Sequence, residues 1–473
     1  MLSRGRGSCG LCVGACRVVS GGVDWFEVSR RLHRRYEGKI EVLPKVPAFH
    51  RGHYAVWYTP GVAGPAEENA ADPEASFHNT WRWNTVAVVS DGTRVLGLGS
   101  IGPEGALPVM EGKALLFKAL GGVDAVPLVH RARSVGKWLE LLELLEPSFG
   151  GINLEDIESP KCFRLLDEAR ERLDIPVWHD DQQGTATVTL AGLINAAKLT
   201  GRDLREMRIV LVGVGAANVA LYRLLRAYGV PPENIVAVDS RGILHSRRGD
   251  VEALRERNPW KYRIAVETDG GWHGPKDGGI GEALVGADAV VAASRPGPGV
   301  IKKEWVRRMN RNAIVFAEAN PVPEIWPWEA REAGARVVAT GRSDFPNQVN
   351  NSLAFPSIFR GVLDVRARTI TDEMAIAAAE ELARFAEERG LREDYIIPSM
   401  EEWEVFPRVA AAAAAKAVEQ GLARYPLSYE EELERARKII RATLEKLKTL
   451  YQAGLIEPLP EEIEAAIRGA ARG

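Results

Sequence analysis

Two acidic doublets stand beside apolar stretches of the chain and raise the first question of chemistry. Glu155 and Asp156 occur in GGINLEDIESP, and Asp180 and Asp181 come where an apolar strand, residues 175–178, runs out. Adjacent carboxylates repel each other, and a buried carboxylate is unfavourable unless it is paired or bound to a metal. One member of the second doublet and both members of the first are therefore candidates to meet around one ion. An all-carboxylate set suits Mg²⁺ or Mn²⁺ rather than zinc. The alternative is that these acids cap helices or form surface ion pairs.

A lysine and a tyrosine also have unusual settings. In LPVMEGKALLFKALGG, Lys113 is predicted at the start of an apolar helix, next to Gly112. In VWYTPGVAGP, Tyr58 comes directly before a Thr-Pro-Gly turn. Burial in apolar surroundings disfavours the charged form of a lysine, so Lys113 is a candidate for more than packing.

The stretch IVLVGVGAANVALYRLL has the order strand, glycine turn, helix that binds dinucleotides. The tight turn requires Gly213, and close approach of the backbone to a pyrophosphate requires Gly215. The N–H groups of the following helix, which begins near Ala216 and Ala217, are free to bind phosphate. Asn218 takes the place of the usual third glycine. The alternative is an ordinary strand–turn–helix with flexible glycines.

Composition excludes several classes of protein. The 473 residues, 46 % hydrophobic and 26 % charged, are typical of a globular protein with a large core. A net charge of −3 gives no indication of a nucleic-acid or membrane partner, and no apolar run approaches the length of a membrane span. Four cysteines in so long a chain form no disulfide framework, which indicates the cytoplasm.

The pattern of elements predicts an α/β fold with a doubly wound, Rossmann-type sheet. Short apolar strands alternate with amphipathic helices from about residue 185, and the chain beyond residue 371 is predicted to be helical. Before that, strands are predicted at residues 38–46, 85–92 and 94–100, in a region with few clear helices. We predict four parts, which are a disordered extension (1–22), an N-terminal α/β domain for substrate and metal (23–184), a nucleotide-binding domain (185–370) and C-terminal helices (371–473). Cys9, Cys12 and Cys16 lie in the extension, where an iron–sulfur or zinc site would lack a nearby fourth ligand.

The sequence resembles the malic enzymes in their shorter bacterial and archaeal form. The resemblance spans roughly residues 24–385, and the matching stretches occur in the order of the family. They are YTPGVA, VSDGTRVLGLGSIGPEGALPVMEGKALLFK, PSFGGINLEDI, IPVWHDDQQGTA, ANPVPEI, VATGRSDFPNQVNNSLAFPSIFRG and DVRAR. The resemblance implies oxidative decarboxylation of L-malate to pyruvate and CO₂ with NAD or NADP and with Mg²⁺ or Mn²⁺.

The resemblance also assigns roles to individual residues. By matching motif, the metal ligands are Glu155, Asp156 and Asp181, with Asp180 close enough to pair with Lys113 or to orient it. Lys113 is the general base and Tyr58 the general acid. The residues implied to contact substrate or nicotinamide are Asn320, Asn351 and, as in a subset of the family, Arg94. Gln183 stands where the family usually has histidine, which leaves the ligand set unchanged.

Alternatives to this function remain open on the sequence. A malolactic-type enzyme or an oxaloacetate decarboxylase that retains its nicotinamide would use the same site. A nucleotide-binding regulatory protein would have a catalytically inactive site. The family usually forms dimers, so we expect a homodimer with Tyr58 and Lys113 near the subunit boundary.

The choice of cofactor is predicted from the end of the next strand. Asp239 ends the strand NIVAVDS, where a carboxylate accepts hydrogen bonds from the adenosine ribose and repels a 2′-phosphate. Arg241, Arg247 and Arg248 follow, and any of them could turn in to pair with a phosphate. We predict a preference for NAD with measurable use of NADP.

Overall fold

The computed structural model describes residues 19–20 and 23–470, and it is built around two parallel sheets. The strands are β1 (Val19–Ser20), β2 (Val23–Asp24), β3 (Thr85–Ser90), β4 (Asp124–Val129), β5 (Gly151–Leu154), β6 (Val177–His179), β7 (Ile209–Val212), β8 (Ile235–Asp239), β9 (Gly242–Ile243), β10 (Ala289–Ala292), β11 (Ala313–Ala317) and β12 (Ala335–Thr340). The predicted extension, with its three cysteines, lies outside the described residues except for β1, which pairs with β2.

Helices cover both sheets and form the C-terminal part of the described chain. They are α1 (Trp25–Tyr36), α2 (Arg51–Trp57), α3 (Ala63–Ala71), α4 (Ser76–Asn79), α5 (Gly102–Gly121), α6 (Val135–Leu145), α7 (Lys161–Arg172), α8 (Thr185–Thr200), α9 (Ala216–Tyr228), α10 (Val251–Arg257), α11 (Pro259–Thr268), α12 (Ile280–Ala283), α13 (Lys303–Val306), α14 (Pro327–Glu332), α15 (Phe355–Asp364), α16 (Asp372–Glu388), α17 (Val405–Glu419), α18 (Tyr429–Gln452) and α19 (Glu461–Ala470). In this described part, no helix combines the length and the apolar content that a bilayer crossing requires.

The first sheet has the order β4-β3-β5-β6, and all its pairs are parallel. Every residue of β3, β5 and β6 is buried, because helices cover the sheet. A strand that is buried on both faces needs a continuous run of apolar residues, as TVAVVS provides. The carboxyl ends of these parallel strands therefore meet at one edge, where the acidic doublets follow β5 and β6.

The second sheet has the order β12-β11-β10-β7-β8-β9. It is parallel except for the short edge strand β9, and β7 lies between β8 and β10, so the strand order reverses at β7. This is the doubly wound arrangement that the alternating pattern predicts. In such sheets ligands bind outside the carboxyl ends of the strands, at the point of reversal.

Helix α8 joins the two sheets through a shared core. Gly192 of α8 lies so close to Phe316 on β11 that an added Cβ would be 2.9 Å from the ring. Because glycine has no Cβ, the helix can pack closely on the second sheet. The same apolar core continues into α15, α16 and α17 and into the first sheet. Because α8 begins directly after Gly184, this packing places the Asp180–Asp181 segment beside the nucleotide sheet.

Two predicted strands and one helix boundary are wrong. Residues 38–46 form no strand, and residues 94–100 instead form a loop closed by a bond from the Val95 N–H to the Gly99 carbonyl, 2.9 Å. Neither segment can pair with β3, because β4 and β5 occupy both of its edges. The region also contains more helix than predicted, and Lys113 lies in the middle of α5 rather than at its start.

Candidate active site

The acidic doublets meet at the carboxyl edge of the first sheet. Glu155, Asp156 and Asp181 each place a carboxylate oxygen within 4.8 Å of the others. The N–H of Asp156 donates to Asp181, 2.8 Å, and so ties one doublet to the other. Asp156 has a φ of 55°, in the left-handed region, which turns the chain sharply after β5. The arrangement offers oxygen ligands from two chain segments to a single ion.

Lys113 is buried against the fourth carboxylate of this cluster. It forms an ion pair with Asp180 and lies 3.1 Å from Glu155. Asp180 also accepts from the Trp178 indole N–H, 3.0 Å, and the Lys113 ammonium lies 4.4 Å from the centre of the Phe355 ring. The structure thus brings together the predicted base and the aspartate expected to orient it.

The charges of this cluster do not balance. Four carboxylates surround one ammonium group, and burial raises the pKa of Glu155, Asp180 and Asp181. Burial acts to lower the pKa of Lys113, but Asp180 and Glu155 outweigh it and raise that pKa. Buried carboxylates in excess of their cations fit a hard divalent ion such as Mg²⁺ or Mn²⁺, which would offset their repulsion.

Separate contacts position the predicted substrate-binding residues Asn351, Arg94 and Asn320. Gly184 approaches Asn351 so closely that a Cβ there would lie 3.1 Å from the Asn351 Cβ, which places Asn351 beside the acidic segment. The N–H of Arg94 donates to the Asp156 carbonyl, 2.9 Å, and its exposed side chain acts electrostatically on Asp181. The loop after β3 meets the loop after β11, because a Cβ on Gly97 would lie 2.8 Å from the Asn320 carbonyl oxygen.

Tyr58 is not enclosed with the acidic cluster of its own chain. Its side chain is 73 % exposed, whereas Lys113 is only 8 % exposed. No residue of the segment 40–62, called here the exposed arm, is buried. Among the described residues, no hydrogen bond, ion pair or ring contact links Tyr58 to Lys113.

The glycine turn has the geometry of a phosphate cradle. Gly213 has a φ of 88°, and a Cβ on it would lie 2.6 Å from the Ala293 carbonyl. A Cβ on Gly215 would meet no atom within 4 Å, so there is open space before the first residues of α9, Ala216 and Ala217. The Asn218 amide is buried and donates to the carbonyls of Val212 and Gly213, 3.0 and 2.8 Å. This side chain supports the turn and does not face the open space.

Asp239, at the end of β8, is already paired. Arg248 donates to both of its oxygens, 2.8 and 3.0 Å, Lys261 lies 3.2 Å away, and the Arg241 N–H donates at 2.9 Å. Burial opposes its ionisation, but these donors, Arg248 foremost, hold the pKa of Asp239 below its usual range. The Arg241 guanidinium instead pairs with Asp250. Sequence reasoning missed Lys261, which lies 22 residues from its partner with no local signal to connect them.

Fold and site together define a two-sheet α/β protein with a dinucleotide cradle beside a buried lysine–carboxylate centre. A family model described as "Malic enzyme, NAD binding domain" matches residues 182–418, and one described as "Malic enzyme, N-terminal domain" matches residues 37–135. The chain belongs to the malic enzyme family.

Individual relatives agree with this assignment. The chain is 47 % identical over 413 residues to a bifunctional malic/malolactic enzyme of Bacillus subtilis. The aligned region covers 87 % of this chain and 98 % of that protein. It is 45 % identical to an NAD-dependent malic enzyme of Geobacillus stearothermophilus, with 88 % and 84 % covered. A crystal structure of an Entamoeba histolytica malic enzyme is similar with a TM-score of 0.90 and 45 % identity, over 95 % of this chain and 92 % of that one.

Proposed function

We propose that the protein is a malic enzyme that converts L-malate to pyruvate and CO₂ and reduces NAD or NADP. The observation that carries this proposal is the position of Lys113 between Asp180 and Glu155, at the edge of three carboxylates that suit a divalent ion. Residues 23–184 would supply the metal and substrate site, residues 185–370 would supply the nucleotide site, and residues 371–473 the supporting helices.

Each residue has a definite task in this reaction. Asp180 and Glu155 keep Lys113 charged in the metal-free protein. With these carboxylates compensated by a bound divalent cation, Lys113 would lose its proton and, as the neutral amine, would take the proton of the malate 2-hydroxyl while hydride leaves C2. Asp180 would keep the amine directed at that oxygen. Tyr58 would give a proton to C3 after CO₂ is lost, so the proton removed and the proton supplied balance. A bound Mg²⁺ or Mn²⁺ would polarise the oxygen on C2 and stabilise negative charge on it during decarboxylation. Oxidised nicotinamide would accept the hydride.

The function is tested by one assay with L-malate, Mn²⁺ and either NAD or NADP. We expect equal amounts of pyruvate, CO₂ and reduced cofactor. Lactate and CO₂ without net reduced cofactor would identify the malolactic alternative. CO₂ release from oxaloacetate alone, with no oxidation of malate, would identify the decarboxylase alternative.

We also propose that the functional unit is a homodimer in which the exposed arm of one chain completes the site of the other. The arm presents large apolar side chains to solvent, and Val42 and Phe49 are both 85 % exposed. Exposed apolar surface of this kind marks an interaction site. We infer a second copy of the chain as the partner, because its active site would need Tyr58 as the proton donor. The exposure of Tyr58, in contrast to the burial of Lys113, supports this arrangement.

Hybrid dimers test the exchange of Tyr58. Tyr58→Phe and Lys113→Ala chains should each be inactive in the overall conversion of malate to pyruvate, because each lacks one proton-transfer group. A dimer purified through a different tag on each chain should regain about half of wild-type activity, since one of its two sites is intact. Doubly tagged Lys113→Ala dimers are the control. No recovery in the hybrid, or full activity of a monomer, would contradict exchange.

The paired state of Asp239 gives a prediction for cofactor choice. Its charge is compensated by Arg248 and Lys261, so repulsion of a 2′-phosphate is weakened, and we expect an NAD preference with measurable NADP use. Asp239→Ser should raise kcat/KM for NADP relative to NAD by about tenfold, because Lys261 becomes free for the phosphate while Arg248 stays paired with Asp250. Adding Lys261→Met should remove most of that gain, whereas adding Arg241→Met should not. The reverse pattern would show that Arg241 binds the phosphate.

A further inference from the structure

Glu318 lies at the carboxyl edge of the nucleotide sheet and has no role in the reaction described above. It is the first residue after β11, and its N–H donates to the Ala292 carbonyl at the end of β10, 2.8 Å. The strands β10, β11 and β12 lie on one side of β7, whereas β8, which ends at Asp239, lies on the other side. Glu318 therefore belongs to the side away from Asp239. When the adenosine part of a dinucleotide lies at β8, the nicotinamide part lies at β10 and β11. Glu318 is therefore on the nicotinamide side of the cradle.

The surroundings of Glu318 supply a hydrogen bond but no cation. Thr189 of α8 donates its hydroxyl to Glu318, 2.8 Å. The other acid nearby, Glu324, accepts from the Ser294 N–H and hydroxyl at 2.8 and 2.9 Å. Arg342, on the loop after β12, is paired with Asp344. Across the described residues, neither Glu318 nor Glu324 has an ion pair, so this side of the cradle holds two carboxyl groups without a counter-charge.

We propose that Glu318 is the charge partner of the oxidised nicotinamide ring. This inference rests on the proposed function only in that the chain binds a nicotinamide cofactor. The oxidised ring carries a positive charge and the reduced ring carries none, so a carboxylate at this position distinguishes the two. Thr189 fixes the direction of the carboxyl group, and Glu318 would favour binding of the oxidised cofactor and release of the reduced one.

The protonation of Glu318 makes this selectivity dependent on pH. Burial, and to a smaller extent Glu324, raises the pKa of Glu318 to about 8, while the Thr189 hydroxyl acts to lower it. A positive ring beside the carboxylate would lower its pKa, so the oxidised cofactor binds more tightly as pH rises and the gain levels off above about 8. Below about pH 8, Glu318 is protonated in the free protein, so it releases a proton when the oxidised cofactor binds and regains one once the ring is neutral.

The test measures equilibrium binding of NAD⁺, NADH and ADP-ribose from about pH 6 to about pH 9.5, without malate or metal. In the wild type, the dissociation constant of NADH divided by that of NAD⁺ should rise about tenfold or more with pH. An opposite charge within a few ångströms shifts the pKa of a carboxyl group by about one unit or more, which corresponds to that factor. ADP-ribose, which lacks the ring, should show no such rise and serves as the internal control. Because no turnover is required, the result can be read even if malate is not the substrate.

Two variants decide the assignment to Glu318. Glu318→Gln keeps the shape of the neutral acid and should make the ratio independent of pH. Thr189→Val removes the donor that favours the carboxylate, so the rise should remain but move to higher pH. Melting temperatures confirm that both variants fold. A wild-type ratio that does not change with pH, or a Glu318→Gln ratio that still rises, would overturn the proposal.

Discussion

Lys113→Ala is expected to abolish malate oxidation while leaving the cofactor bound. A positioned general base contributes about 10²- to 10⁴-fold to such a reaction, and none of the residues that contact Lys113 is another amine. Replacement by alanine also leaves buried carboxylates without their cation, so loss of activity alone would not separate chemistry from folding. Lys113→Arg is the matched control, because it keeps the positive charge against Asp180 and Glu155 but does not give up a proton.

Chemical rescue sharpens this prediction. A small primary amine added to Lys113→Ala should restore part of the activity, with a pH profile that follows the pKa of the amine, because the amine fills the space left by the side chain. Lys113→Arg should stay inactive and should not respond to the amine. If Lys113→Arg oxidises malate at a rate near that of the wild type, the lysine is a structural cation and the base is another group.

The nucleotide sheet was predictable from sequence because its signals are local. Strands such as IVLV and AIVFA are continuous apolar runs, and each is followed by a turn or helix that the residue pattern also indicates. The first sheet was harder. Its edge strand β4, DAVPLV, contains a proline and is only half-buried, and the wrongly predicted strand at 94–100 has a similar apolar pattern. Which of the two segments pairs with β3 depends on long-range contacts.

The site likewise contains some features that the sequence predicts and others that depend on long-range contacts. Matching motifs led to Glu155, Asp156 and Asp181, and the strand ends then explain why they meet, since β5 and β6 are parallel neighbours. The pairing of Asp239 with Arg248 and Lys261 was not predictable. Arg247 and Arg248 are equivalent by sequence, and only the fold of the loop after β9 turns Arg248 inward. Likewise, nothing in YTPGVA reveals that Tyr58 is exposed.

Neutralising a metal ligand is expected to have opposite effects on the free and the metal-loaded protein. In Asp181→Asn, one of four clustered carboxylates is removed, so the repulsion among them falls and the metal-free protein should melt at a higher temperature than the wild type. With Mn²⁺ the order should reverse. At a concentration about 100 times its dissociation constant, the ion adds about 2.7 kcal/mol to the free energy of unfolding of the wild type.

The same concentration should barely stabilise the variant. Loss of a charged oxygen ligand should weaken binding by about 100-fold or more, which leaves about 0.4 kcal/mol of stabilisation. Glu155→Gln should behave similarly, with a smaller gain in the metal-free state because it also loses the contact with Lys113. Glu140→Gln, at an exposed carboxylate of α6 that forms no ion pair within the described residues, is the control and should change neither melting temperature. If Mn²⁺ stabilises Asp181→Asn as much as the wild type, the ion binds elsewhere, and the acidic cluster serves only to hold Lys113 in its charged form.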